Sequence, residues 1–235
     1  MSLLFRDDAY QTSCHATVMA VDEAGIRLDR TVFYPAGGGQ PGDRGGLTTA
    51  TGATVSIVDT RKGEAADEVV HVPAPGAPVL APGDTVTAEI DWPYRHRLMR
   101  MHTCLHLLCA VIPGSVTGGQ ISDGKGRLDF DVPGDMLDKE AITQRLNQLI
   151  AAGHAVSQTS ITDEDLAARP ELVRTMSVKP PTGRGSVRLL AIGDIDLQPC
   201  GGTHVANTAE IGPVVITKIE NKGRQNRRVA IAFAE

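Results

Sequence analysis

Short apolar runs rich in β-branched side chains mark the first part of the chain, at 15–21, 26–33, 54–59, 68–72 and 85–90. Turn-forming residues separate them at 23–25, 35–46, 62–63 and 73–83. Strands of this length at roughly ten-residue spacing predict a small β-barrel. The pattern changes near Pro93. Residues 96–112 read as a helix with Leu98, Met101, Leu105, Leu108 and Val111 on its apolar face, stopped by Pro113 and Gly114. Residues 139–152 predict an amphipathic helix, because Ile142, Leu146, Leu149 and Ile150 fall on one face. Thr162 followed by three acids predicts a short capped helix that Pro170 limits. Strands are expected at 186–192, 213–220 and 227–233. Helices and strands interleave without a βαβ rhythm, so the fold class is α+β. The expected domains are a β-barrel over 1–91 and a mixed domain over 92–235, since Pro93 breaks regular structure.

Composition adds limits. The 235 residues are 41% hydrophobic and 22% charged, an ordinary globular balance. No apolar run approaches the roughly 20 residues of a membrane span, and the start MSLLFRDDAY lacks the basic region and apolar stretch of a secretion signal. Four cysteines are too few for a disulfide scaffold, which implies a reducing, cytoplasmic setting. The formal net charge of −5 argues against nucleic acid until it is divided. Residues 1–91 carry 6 basic against 13 acidic side chains, a balance of −7, and residues 92–235 carry 17 against 15, a balance of +2. Within the second part Arg95, Arg97 and Arg100 stand together, and Lys218, Lys222, Arg224, Arg227 and Arg228 form another group.

Two histidine motifs carry chemistry. His102 and His106 are four apart on a predicted helix, which sets both imidazoles on one face. Cys200 and His204 flank Gly201, Gly202 and Thr203, a turn that Pro199 stiffens. Either half alone is a weak signal, since packed histidines or a buried cysteine beside a turn would look the same. Together they supply His, His, Cys and His, a donor set that suits Zn²⁺. The residue types leave open whether all four bind, or whether Cys200 or His204 stands off the metal as base or orienter. Cys14, Cys104 and Cys109 read as packing residues. A zinc peptidase is disfavoured because no HExxH is present.

HTCLHLL at 102–108 and DLQPCGGTHVANTAEIG at 196–212 closely resemble the editing domain of alanyl-tRNA synthetase. FYPAGGGQPGDRG at 33–45 resembles the glycine-rich motif that precedes that domain, and RLDFDV at 127–132 its strand after the ligand helix. The chain is therefore similar to the AlaX family of free-standing editing proteins, in the medium-length form. The resemblance implies a β-barrel joined to the editing domain shared with threonyl-tRNA synthetase. It also implies deacylation of mischarged tRNA(Ala), chiefly Ser-tRNA(Ala) and in some members Gly-tRNA(Ala). The alternative is a non-catalytic tRNA-binding module with structural zinc. Zinc would either activate water or hold the substrate's amino group, and four ligands favour the second.

Accepting serine and rejecting alanine calls for a polar group left unpaired without the hydroxyl. Thr117 and Gln120 are the candidates. Arg95, Arg97, Arg100, Lys218, Lys222, Arg227 and Arg228 are expected on tRNA phosphates, and Gly37, Gly38 and Gly39 near the acceptor stem. With only eight aromatic residues, recognition should rest on shape and backbone. Segment 37–46 lacks the GK[ST] ending of a phosphate loop, so no nucleotide cofactor is expected. A monomer is favoured.

Overall fold

A computed structural model describes residues 1–65, 67–133, 137–175 and 185–234. The chain forms two compact units, Met1–Arg97 and Leu98–Glu235.

The first unit holds β1 (Ser2–Leu3), β2 (Ser13–Asp22), β3 (Gly25–Leu28), β4 (Arg30–Thr31), β5 (Gly45–Thr49), β6 (Thr54–Lys62), β7 (Val69–Pro73) and β8 (Thr85–Ile90). Six of them close a barrel in the order β2-β3-β7-β6-β5-β8, as the spacing of the apolar runs predicts. Alternation fills its interior: Val55 and Ile57 of β6 are buried while Thr54 and Ser56 face out. Val58 keeps the outward phase, and the register shift between Ile57 and Asp59 then turns Thr60 inward. The expected strand at 26–33 is two strands, β3 and β4. Strand β5 went unpredicted because Gly45 and Gly46 look like turn residues. Pairing with both β6 and β8 makes it a strand, with Leu47 fully buried.

Before β5, the glycine-rich segment folds as a tight turn. Gly37 and Gln40 exchange both backbone hydrogen bonds at 3.0 Å. The central residues Gly38 and Gly39 have φ of 58° and 83°, which glycine adopts without the Cβ penalty.

Helix α1 (Trp92–Val111) begins four residues before the expected start. Asp91 accepts from the Tyr94 N–H at 3.1 Å and so acts as an N-cap. Pro93 falls in the first turn, where a missing N–H costs nothing, and opens the helix instead of breaking structure. The helix is also not one-faced, because every residue from 101 to 109 is buried.

The rest of the second unit comprises β9 (Ser115–Ser122), β10 (Lys125–Asp131), α2 (Lys139–Ala151), β11 (Val156–Thr162), α3 (Asp163–Ala167), β12 (Ser186–Ile192), β13 (Asp196–Pro199), β14 (Val214–Asn221) and β15 (Asn226–Phe233). One antiparallel sheet has the order β14-β15-β10-β9 and another β11-β12-β13. The architecture is α+β, as expected. Asp138 caps α2 and Thr162 caps α3. Asn147 ties α2 to β14 through both the N–H and the C=O of Val214. Gly126 on β10 gives α1 its seat: a Cβ there would lie 2.9 Å from Met101 Sδ and 3.1 Å from Leu105 Cδ2. No helix among the described residues is long and apolar enough to cross a membrane.

Candidate metal centre

Because α1 is buried on all sides from 101 to 109, its polar residues there need partners inside the protein. His102 and His106 find them where the chain leaves β13. That turn, Cys200 to His204, follows Pro199 and has no helical residue. Arg188 of β12 holds it by donating to the carbonyl oxygens of Cys200, at 2.8 Å, and of Gly202. The Gly202 N–H points at Cys200 Sγ at 3.4 Å.

One ligand atom each from His102, His106, Cys200 and His204 lies within 4.8 Å of the others. Cys200 Sγ is 3.6 Å from His102 Nε2 and 3.2 Å from His204 Nε2. The outward nitrogens are occupied: His106 Nδ1 lies 3.0 Å from Asp196 Oδ2, and His204 Nδ1 lies 3.2 Å from Thr103 Oγ1.

The electrostatics separate the four cysteines. Burial disfavours the Cys200 thiolate, yet the charges of His102, His204 and His106 outweigh burial and hold the thiol well below its ordinary value. Burial pushes Cys104 up to about 12, and burial first with Asp196 second does the same to Cys109. Burial also raises Cys14. Burial opposes charging His106, but the Cys200 thiolate and Asp196 prevail and raise it to about 9. His204 is driven well below its usual value by burial and by His102. One sulfur, three imidazoles and the hydrogen-bonded outer nitrogens of His106 and His204 suit a soft divalent cation, so this group can hold a metal ion.

The other expected site residues fare unevenly. Thr117 and Gln120 lie on β9. The Thr117 hydroxyl donates to Asp129 O at 3.1 Å and accepts from Asn226 Nδ2 at 3.1 Å. Gln120 is exposed, and its Oε1 accepts from Arg127 at 3.3 Å.

Arg95, expected on phosphate, is wholly buried. Its guanidinium grips the Asp43 carboxylate and the carbonyls of Ala9 and Val32. Arg227 is also buried, against the carbonyls of Gly223 and Asn226. Arg100 donates twice to Ile211 O and lies over the Phe233 ring. Arg95 and Arg227 serve the fold, because a guanidinium buried among internal carbonyls and carboxylates is not presented to a phosphate, while Arg100 is half-buried. Arg228 pairs with Asp129, while Lys218 and Lys222 pair with Glu220 at the surface. Arg97 is half-buried, and Gly38 and Gly39 are exposed.

Sequence reasoning missed Asp196, Thr103 and Arg188. Each acts on a residue distant in the chain, and no local spacing announces that.

Residues 187–230 match the family described as the second additional domain of threonyl and alanyl tRNA synthetases, and residues 6–94 match class II (A) tRNA synthetases. The alanyl-tRNA editing protein AlaX-M of Methanosarcina acetivorans is 35% identical over 236 residues, covering 97% of this chain and 96% of that protein. The AlaX-M of Saccharolobus solfataricus is 32% identical over 230 residues, covering 96% of each. The alanine–tRNA ligase of Sulfurisphaera tokodaii is 35% identical over 226 residues, which span 92% of this chain and 24% of the ligase. Fold and matches together define a synthetase-type editing protein. The chain belongs to the AlaX family of alanyl-tRNA editing proteins. It is accordingly an enzyme, an aminoacyl-tRNA deacylase, and the expectation of a non-catalytic binding module is set aside.

Proposed function

We propose that this protein hydrolyses the ester of mischarged tRNA(Ala) in the cytoplasm, chiefly Ser-tRNA(Ala) and also Gly-tRNA(Ala), at a Zn²⁺ site formed by His102, His106, Cys200 and His204. The observation that carries this reading is the four-donor cluster, in a chain that matches AlaX-M proteins along nearly its whole length. Zinc, when bound, supplies a concentrated positive charge able to hold an amine or polarise an ester carbonyl.

The protein's own residues do the rest. The two glycines of the turn let Cys200 and His204 close on the helix histidines. Burial of α1 keeps bulk water from the inner faces of the imidazoles. Gln120, exposed on β9 with its carbonyl oxygen engaged by Arg127, directs its amide nitrogen to the serine hydroxyl; Thr117 supports the strand beside it. Lys218, Lys222, Arg228 and Arg97 contribute charge for tRNA phosphates. The exposed Gly38–Gly39 turn offers bare backbone to the acceptor stem.

Single-turnover deacylation of Ser-tRNA(Ala), beside a His102→Ala control, tests the reading. Release of serine by the wild type and its loss in the variant are expected. Equal rates in the two would refute it.

A further inference from the structure

The hydrogen bonds behind the four donors determine which nitrogen of two histidines carries a proton. Thr103 stands on α1 between the two helix ligands and has one hydroxyl hydrogen. That hydrogen is committed to Met99 O, four residues back along the helix, at 2.9 Å. The Thr103 oxygen is then left with its two lone pairs. The Val205 N–H approaches it at 3.3 Å, and His204 Nδ1 lies at 3.2 Å. An oxygen with no proton left to give can only accept from His204, so Nδ1 bears the hydrogen and Nε2 is bare.

At His106 a carboxylate makes the same choice. Asp196 Oδ2 lies 3.0 Å from His106 Nδ1 and also accepts from Gln198 Nε2 at 2.7 Å. Oδ2, already an acceptor for Gln198, meets His106 Nδ1 as an acceptor too, so His106 carries its hydrogen on Nδ1. Asp196 is 4% exposed, and its Oδ1 has no hydrogen-bond partner among the described residues. Burying a carboxylate with one oxygen unpaired is costly.

We infer that Thr103 and Asp196 are positioning residues which fix His204 and His106 as Nδ1–H tautomers, so that both present Nε2 to one ion. Thr103 thereby makes α1 a three-residue contributor, because the residue after the first ligand aims the fourth. The inference rests on the reading of the four residues as a zinc site, and the two fail differently.

The direct test is long-range ¹H–¹⁵N NMR of the zinc-loaded full chain labelled on histidine. The expected spectrum shows the proton of both His106 and His204 on Nδ1. A proton on Nε2 of either residue, with zinc bound, overturns the inference while sparing the metal site. A wild-type chain that takes up no zinc overturns both. Zinc competition with a chromogenic chelator gives a second readout. Asp196→Leu and Thr103→Val should each weaken binding roughly 10- to 100-fold, and Thr103→Ser should restore it. Wild-type affinity in both Asp196→Leu and Thr103→Val would also overturn the inference.

Discussion

At the scale of single residues, environment decides chemistry more than residue type does. Cys104 and Cys109 are buried and Cys200 is half-buried, and the charges of three imidazoles hold the Cys200 thiol well below its ordinary value while burial pushes the other two up to about 12. The ligand pairs were legible because i,i+4 on a helix and a glycine turn are local devices. Their partners Asp196 and Thr103 were not, because those contacts join α1 to β13 and to the turn beyond it across about a hundred residues of sequence. The same contrast applies to discrimination. The Thr117 hydroxyl is already used on Asp129 and Asn226, so Gln120→Leu should reduce the preference for Ser-tRNA(Ala) over Ala-tRNA(Ala) by about 10-fold or more. Thr117→Val should change that preference less. Competitive deacylation of the two substrates measures both effects, and the reverse ranking would move the role to Thr117.

His71 belongs to the same scale. It is completely buried in the barrel, between Thr31 Oγ1 at 2.8 Å and Ile26 O at 3.0 Å, and burial lowers it to about 4. Its folded value lies below the unfolded value of roughly 6.5, so its contribution is complete above that pH and is lost as pH falls toward 4. Urea unfolding of the wild type and of His71→Asn at pH 7.5 and 4.5 reads this. The advantage of the wild type should shrink by about 2–3 kcal/mol at the lower pH. An advantage independent of pH would show that His71 does not titrate on unfolding.

At the scale of elements, the barrel strands with apolar alternation and the amphipathic α2 were readable because each signals its own buried face. Strand 186–192 matched β12 to the residue. Helix α1 was recognised but misjudged: its first turn hides behind Pro93, and its polar residues are buried by partners that periodicity cannot see. Strands β5, β9, β11 and β13 were missed for a common reason, being rich in glycine, serine and threonine or very short, so pairing alone holds them extended.

The glycine-rich segment is tied to the start of α1 by a buried ion pair. Asp43 joins the Tyr34 N–H, at 2.6 Å, to the guanidinium of Arg95 on α1. Asp43→Ala leaves that guanidinium buried without its counter-charge, and the unfolding free energy should drop by about 3–5 kcal/mol in urea titration. A loss below about 1 kcal/mol would mean that the segment is held by its other contacts.

At the scale of the whole chain, the net charge of −5 misled as a single figure, since the second part carries a slight excess of base. The structure narrows that excess again by withdrawing Arg95 and Arg227 from the surface. What remains at the surface is paired in part with Glu220 and Asp129, so the proposed tRNA contacts are few and binding should be transient, as proofreading requires. The central claim is that the cluster on α1 and the 200–204 turn is the centre of deacylation. The measurement that tests it most directly is single-turnover release of serine from Ser-tRNA(Ala) by protein stripped with chelator and then reloaded with zinc. The account predicts that stripping abolishes release, that zinc restores it, and that reloading does not rescue His102→Ala. Undiminished release by the stripped protein, at a metal content shown to be negligible, would contradict it.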